Sequence, residues 1–271
     1  GLQALGLKAE SRVALLNKNS ATFFDVLFGA AKANAVLVTV NFRLTRDEVR
    51  FIIEDSEAEL LIVGREHLAA VEGLATILET LNHIVVDDTP DCEFAAWRDQ
   101  QAQAPTEMPI DCESAVVQMY TSGTTGLPKG VELSHRAMIN AALVGLDVWR
   151  FLCEQDSAVL ATMPLFHIAA CNLCIAALFV GARADIIRDA TPEELAEILP
   201  ARGINLVPIP ATVIHSMLRL HDIADKDFSA LKVMLIAGSG TAAELLKEAG
   251  ERFNCGFALS YGSTEMCGGV T

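Results

Sequence analysis

Short apolar runs recur along the chain at 13–16, 36–40, 59–63, 83–86, 115–120, 158–162, 184–187, 205–208, 231–237 and 257–260, with helical segments between them. That alternation predicts parallel strands covered by helices. Ten strands exceed what one open sheet usually holds. The expected architecture is therefore α/β, with two mostly parallel sheets layered with helices. Thr45 with Glu48 and Thr191 with Glu194 both fit a helix capping box, the second with Pro192 at the first helical position. The stretch RDQQAQAPTEMPIDCES, residues 98–114, is polar and proline-containing, which reads as a connection between α/β halves at 1–109 and 110–271. There is no internal repeat and no low-complexity tract.

Composition narrows the function classes. A hydrophobic content of 52% in 271 residues supports a buried core. The net charge of −15, with no basic cluster, repels a nucleic-acid backbone over most of the surface. The N-terminal GLQALGLKAESRVALL lacks the basic and cleavage regions of a signal peptide, so the expected compartment is the cytoplasm. One uncharged window, Leu160 to Ala182, is long enough to span a bilayer. Pro164, His167 and Asn172 within it favour instead a strand end, a loop and a buried helix, so no transmembrane segment is expected. The 7 cysteines are scattered among apolar neighbours and indicate no disulfide framework. Cys171 and Cys174 stand one turn beyond His167, but a fourth metal ligand is missing, and both read as core residues.

The chemistry is concentrated in YTSGTTGLPKG, residues 120–130. Glycines let backbone N–H groups approach an anion, hydroxyls add donors, and the lysine adds positive charge. The loop follows a strand and precedes a segment with Ser134 as its N-cap, the strand–loop–helix order of phosphate-binding units. Here the lysine comes before the final glycine, so the loop is not a Walker sequence. A second cluster, YGSTEM at 261–266, offers an aromatic face for a base, a hydroxyl for a phosphate oxygen and a carboxylate for a hard cation such as Mg2+. A third, LIAGSGTAAE, has Gly238, Gly240 and Ala243 in the spacing of a dinucleotide-binding turn. That turn supports a rival reading as an NAD-dependent oxidoreductase, although it normally opens a domain rather than following nine strands.

The 121–130 stretch matches T-S-G-T-T-G-x-P-K-G at every position and resembles the adenylate-forming (AMP-binding) superfamily of acyl-CoA synthetases, luciferases and amino-acid adenylation domains. The resemblance implies that Thr121, Ser122, Gly123, Thr124, Thr125, Gly126 and Lys129 cradle the ATP β- and γ-phosphates. YGSTEM is similar to the family's Y-G-x-T-E, which implies that Tyr261 stacks on adenine, Gly262 lies beside it, Thr264 contacts the α-phosphate and Glu265 binds Mg2+. Gly238, Ser239 and Gly240 occupy the family's adenine-adjacent turn, usually G-G-A-P, from which this chain departs. Met163 to His167 is similar to P-x-F-H. His167 is thereby implied to stabilise charge as the substrate carboxylate attacks phosphorus.

Amino-acid adenylation domains are implied to carry an Asp just after the aromatic residue, whereas here His167 and Ile168 follow Phe166, which favours a free carboxylic acid as substrate. The apolar HIAACNLCIAALF, with Met266 to Val270, offers an uncharged acyl pocket. The opening 60 residues are similar to fatty-acyl-CoA ligases too, so the resemblance covers the whole chain.

The implied reaction is activation of a hydrophobic carboxylic acid, expected to be a fatty acid, to acyl-AMP with ATP and then to acyl-CoA with coenzyme A. The catalytic residues implied are His167, Thr264 and Glu265, with Glu265 also the metal ligand. The chain ends six residues past Glu265. The family's ribose-binding aspartate, hinge and lysine-bearing C-terminal domain have no counterpart here. The expectation is the large N-terminal domain of the adenylate-forming fold, trimmed at its start and lacking the C-terminal domain, and nearly inactive alone. A nucleotide-binding fragment without catalysis is the other alternative.

Overall fold

The structure, a computed structural model, describes residues 1–87, 93–101, 109–122, 126–237 and 241–269. The chain forms two compact units, Gly1–Met138 and Ile139–Thr271. The first runs β1 (Arg12–Leu16), α1 (Thr22–Lys32), β2 (Val36–Val40), α2 (Arg46–Asp55), β3 (Leu60–Gly64), α3 (Leu68–Val71), α4 (Leu74–Ile77), β4 (His83–Asp87), α5 (Glu93–Asp99), β5 (Ala115–Thr121) and β6 (Lys129–Ser134). Helix α6 (His135–Val148) carries the chain from the first unit into the second. The second continues through β7 (Ala158–Ala161), α7 (Ile168–Phe179), β8 (Arg183–Ile186), α8 (Pro192–Ala201), β9 (Leu206–Pro208) and α9 (Ala211–Leu218). It ends with β10 (Val233–Ala237), α10 (Ala243–Phe253), β11 (Gly256–Ser260), β12 (Gly262–Ser263) and β13 (Gly268–Gly269).

In the first unit the strand order is β4-β3-β1-β2-β5-β6, and every neighbouring pair is parallel except β5 with β6. Ala14, Leu16, Val38, Val40, Leu61 and Val63 pack with Val49, Ile52 and Ile53 of α2. The alternate strand residues Val13, Leu37, Leu60 and Ile62 are buried as well. A parallel sheet buried on both faces needs such continuous apolar runs, which is why these strands are readable in the sequence. The capping box of α2 forms as expected: Thr45 N–H donates to the Glu48 carboxylate at 2.8 Å, and Glu48 N–H to Thr45 Oγ1 at 3.5 Å. The Thr45 backbone bond, followed by its side-chain bond, holds the Glu48 carboxyl below the usual carboxylate range.

The second unit's main sheet has the order β11-β10-β9-β7-β8, parallel throughout. Leu160, Val207, Met234 and Ile236 pack with Leu195 and Leu199 of α8, Ile214 and Met217 of α9, and Phe253 of α10. α8 also has its expected capping box, with Thr191 N–H donating to Glu194 at 2.8 Å and Glu194 N–H donating to Thr191 Oγ1 at 3.2 Å. The uncharged window resolves into β7, a loop and the 12-residue α7, whose Ile168, Ala170, Cys171, Leu173, Cys174, Ala176 and Ala177 are buried. Among the described residues no helix is long and apolar enough to cross a membrane.

All ten apolar runs fall on strands, β1 to β5 and β7 to β11. Two features differ from the sequence reading. β6 was read as loop, because Leu133 is its one buried residue and Lys129, Gly130 and Glu132 are exposed, as suits an edge strand. The compact units also divide at Met138/Ile139 rather than at 109/110, since β5 pairs with β2 and β6 completes the first sheet.

At the β5–β6 edge, Tyr120 Oη donates to Asp55 Oδ2 at 2.6 Å and accepts from Gln118 Nε2 at 3.2 Å. Burial first, then the hydrogen bond to Asp55, pushes the Tyr120 phenol well up. A raised pKa means that this contribution is complete below the unfolded phenol's pKa and lost as pH rises through the folded value. Tyr120→Phe should cost about 1 kcal/mol near neutral pH, because the pair is only half-buried. Part of the alkaline loss of stability should vanish with it in urea titrations across pH. Thr191→Ala should cost about 1 kcal/mol through loss of the α8 cap. Retention of that stability by the alanine variant, under the same denaturant, would show that the cap is dispensable.

Candidate functional site

Thr121 and Ser122 stand at the end of β5, and Lys129 opens β6 directly across from Thr121 in the antiparallel register. Lys129 is exposed, with its chain on the same edge as the two hydroxyls. Gly126 has φ +101°, a conformation that a side chain would strain. Gly123, Thr124 and Thr125 lie outside the described residues. A Cβ on Gly130 would meet the Gln118 amide, so any larger residue there would displace that side chain. The helix expected to follow the loop begins only at His135, after the six residues of β6. Ser134 does cap it, accepting from Ala137 N–H at 3.2 Å. Along the chain, β6 therefore separates the loop from the N-terminus of α6.

In the second unit the remaining described residues of the predicted site follow the carboxyl ends of strands in one parallel sheet. Met163 to His167 follow β7, and Tyr261 to Glu265 follow β11. Gly238, Ser239 and Gly240 lie outside the described residues, although their flanks, β10 and α10, are the strand and helix that the spacing predicted. From β7 the chain passes to β8 on one side and then to β9 on the other, so its topological switch lies between β7 and β9. Open α/β sheets bind ligands in the crevice outside such a switch. Thr162 Oγ1 donates to the Pro208 carbonyl across it.

His167 is the N-cap of α7, exposed, with its ring 4.3 Å from that of Phe166. This places the imidazole at the positive end of a helix of 12 residues, a setting suited to an anion. Tyr261 is 70% exposed, leaving its ring available for stacking. Gly262 and Ser263 pair antiparallel with Gly269 and Gly268, forming a small hairpin. Thr264, half-buried, and Glu265, exposed, lie in its tight turn. That hairpin was not read from the sequence. Its signal was the Cys267-Gly268-Gly269 triplet, since Gly268 has φ +121° and a Cβ on Gly262 would overlap the Gly268 carbonyl.

The cysteines behind this edge are held as thiols. Burial first, then the neighbouring Cys174 and Cys267, raises Cys171 well above the usual thiol range, and burial pushes Cys174 up to about 12. Burial also raises Cys267, against a hydrogen bond from Asn172 that lowers it. Such thiols are poor nucleophiles and poor ligands, and they present an apolar wall. Asn172 lies on α7 between Cys171 and Cys174 and was named in the sequence only as a polar interruption. It proves to tie α7 to the hairpin, its Nδ2 donating to the Cys267 carbonyl at 2.6 Å.

Comparison with known proteins bears on the chain as a whole. The AMP-binding enzyme family matches residues 1–271. The fatty acid–[acyl-carrier-protein] ligase ScoC of Streptomyces coeruleorubidus is 34% identical over 270 residues, 97% of this chain and 50% of the relative. A long-chain-fatty-acid–CoA ligase of Thermus thermophilus is 31% identical over 98% of this chain and 49% of its own length. The chain therefore spans about half the length of these curated relatives. Among solved structures, the inhibitor-bound N-terminal domain of FACL13 from Mycobacterium tuberculosis superposes with a TM-score of 0.90 at 26% identity, over 100% of this chain and 67% of that one. The sequence signature, the parallel-sheet architecture and these relatives lead to one statement: the chain belongs to the AMP-binding enzyme family.

Proposed function

We propose that the chain is part of an ATP-dependent acid–thiol ligase that activates a hydrophobic carboxylic acid, a fatty acid in the first instance, to acyl-AMP and then to acyl-CoA. The observation that carries this reading is the convergence of His167, Tyr261, Thr264 and Glu265 at the carboxyl edge of one parallel sheet, beside an uncharged helix. Both relatives above are fatty-acid ligases, which supports a fatty acid as substrate, and the Thermus thermophilus relative, a CoA ligase, supports CoA as the acceptor. Cytoplasmic work on small molecules suits the reading, and the acidic surface argues against nucleic-acid partners.

The residues present fit the groups this reaction needs. An exposed tyrosine ring can stack on a base, an exposed carboxylate is a hard-oxygen ligand for Mg2+, and an exposed lysine can neutralise phosphate charge. ATP, when bound, supplies the adenylyl group that turns the acid into a mixed anhydride, with pyrophosphate leaving and coenzyme A the later acceptor. Tyr261 and Gly262 hold the base, with the turn at Gly238, Ser239 and Gly240 beside it. Thr264 donates to the α-phosphate, and Glu265 holds Mg2+. Thr121, Ser122, Gly123, Thr124, Thr125, Gly126 and Lys129 hold the outer phosphates. His167 orients the carboxylate and offsets charge at the reacting oxygen. α7, with its buried thiols and apolar side chains, excludes water from the acyl chain. Every contribution is positioning or charge compensation, and no side chain becomes a covalent nucleophile.

Calorimetric titration of the chain with a non-hydrolysable dodecanoyl-adenylate analogue tests the reading, with NADH as control. The expected result is binding that falls by roughly tenfold or more in Tyr261→Ala, the size of a lost base–aromatic stack. Response to NADH alone would transfer the site to the dinucleotide reading. Lys129→Ala should weaken ATP by about tenfold, the scale of one charge-assisted contact, while leaving the adenylate analogue within about twofold. Equal losses for both ligands would sink the assignment of Lys129 to the outer phosphates.

A further inference from the structure

Asn172 joins two parts of the proposed site that are far apart in sequence. It stands on α7, five residues and ~7.5 Å of helix rise beyond His167. Its Nδ2 donates to the Cys267 carbonyl at 2.6 Å. Cys267 lies two residues beyond Glu265 and has φ +57°, in the left-handed region. The next residue, Gly268, has φ +121°, and a Cβ there would come within 2.9 Å of Asn172 Nδ2. The contact therefore requires glycine at 268 and an amide donor at 172. The other side of the hairpin is as constrained, since Gly262 lies against the Gly268 carbonyl.

The orientation of the amide follows from its partner. A carbonyl oxygen can only accept, so Asn172 must present its N–H group, and Oδ1 is left buried without a hydrogen-bond partner among the described residues. A buried unpaired acceptor is unfavourable, and an apolar side chain would avoid it. The compensation is the hold on the hairpin. Cys267 and Gly268 are both in backbone conformations with positive φ, and the turn between the two short strands carries Thr264 and Glu265. A strand pair of two residues each is too short to be stable alone.

We propose that Asn172 is a positioning residue, which fixes the turn bearing Thr264 and Glu265 at a set distance from the His167 end of α7. It thereby keeps the metal-binding carboxylate and the carboxylate-orienting imidazole in register. This rests on the roles proposed above for His167, Thr264 and Glu265. Asn172 touches no reacting atom; it acts through the Cys267–Gly268 backbone.

The test compares the chain with Asn172→Ala, Asn172→Asp and Asn172→Gln. Alanine is a better helix former than asparagine, so α7 should persist. Aspartate keeps the shape but removes the donor, and glutamine keeps the donor on a longer arm. Amide hydrogen exchange is followed for residues 261–269 and for β7, β9 and β10. Affinity for the dodecanoyl-adenylate analogue is measured with Mg2+ and with EDTA.

Exchange across 261–269 should quicken about tenfold in the alanine and aspartate variants, with the core strands unchanged and glutamine intermediate. The gain in affinity from Mg2+ should shrink by about tenfold in the alanine variant, and the affinity in EDTA should fall by a smaller factor, because the same turn carries Thr264. Unchanged exchange across 261–269 in Asn172→Ala would overturn the inference, as would quickening spread evenly over β7, β9 and β10. Failure of the unmodified chain to bind the analogue would count against the proposed function alone, because the exchange measurement judges the hold on the hairpin without any ligand.

Discussion

Parallel pairing of β7 to β11 is the constraint on which the rest of the second unit depends. Parallel strands must be joined by crossovers, and the crossovers must cover both faces of the sheet. The chain meets this with α7 and with α8, α9 and α10, whose Leu195, Leu199, Ile214, Met217 and Phe253 fill the core. Every strand then finishes on the same edge. Segments separated by about a hundred residues, Met163 to His167 and Tyr261 to Glu265, are brought to that edge by topology alone. The chemistry can vary in these loops while the core beneath stays the same.

Close backbone approach is the second requirement, and it is met differently in the two units. In the first, Gly130 leaves room for the Gln118 and Tyr120 side chains, and the Tyr120–Asp55 hydrogen bond holds the base of the Ser/Thr/Gly loop. In the second, Gly262 and Gly268 nearly touch, and Asn172 secures the pair to α7. Both motifs rich in hydroxyls or charge are thus mounted on short hairpins whose stems are fixed by glycine and one polar side chain. The neighbouring thiols of Cys171, Cys174 and Cys267 are kept protonated by burial and add no charge of their own.

The sequence by itself determined the buried strands and the chemical vocabulary of the site. Strands buried on both faces require unbroken apolar runs, so β1 to β5 and β7 to β11 could be read from composition along the chain. The capping boxes at Thr45 and Thr191 and the N-cap at Ser134 are local, made within three residues, and were equally legible. The motifs at 121–130 and 261–266 gave the family, because hydroxyls, glycines and one lysine in that order serve no core. Tertiary structure alone decided what depends on partners distant in sequence. An edge strand such as β6 buries one residue and leaves no periodic trace, so its pairing with β5 appears only when the sheet is assembled. The division of the units followed β5, which joined β2 and carried β6 with it into the first sheet. Asn172 looked like an interruption in an apolar helix, and its role depends on a carbonyl 95 residues away that no local pattern could reveal.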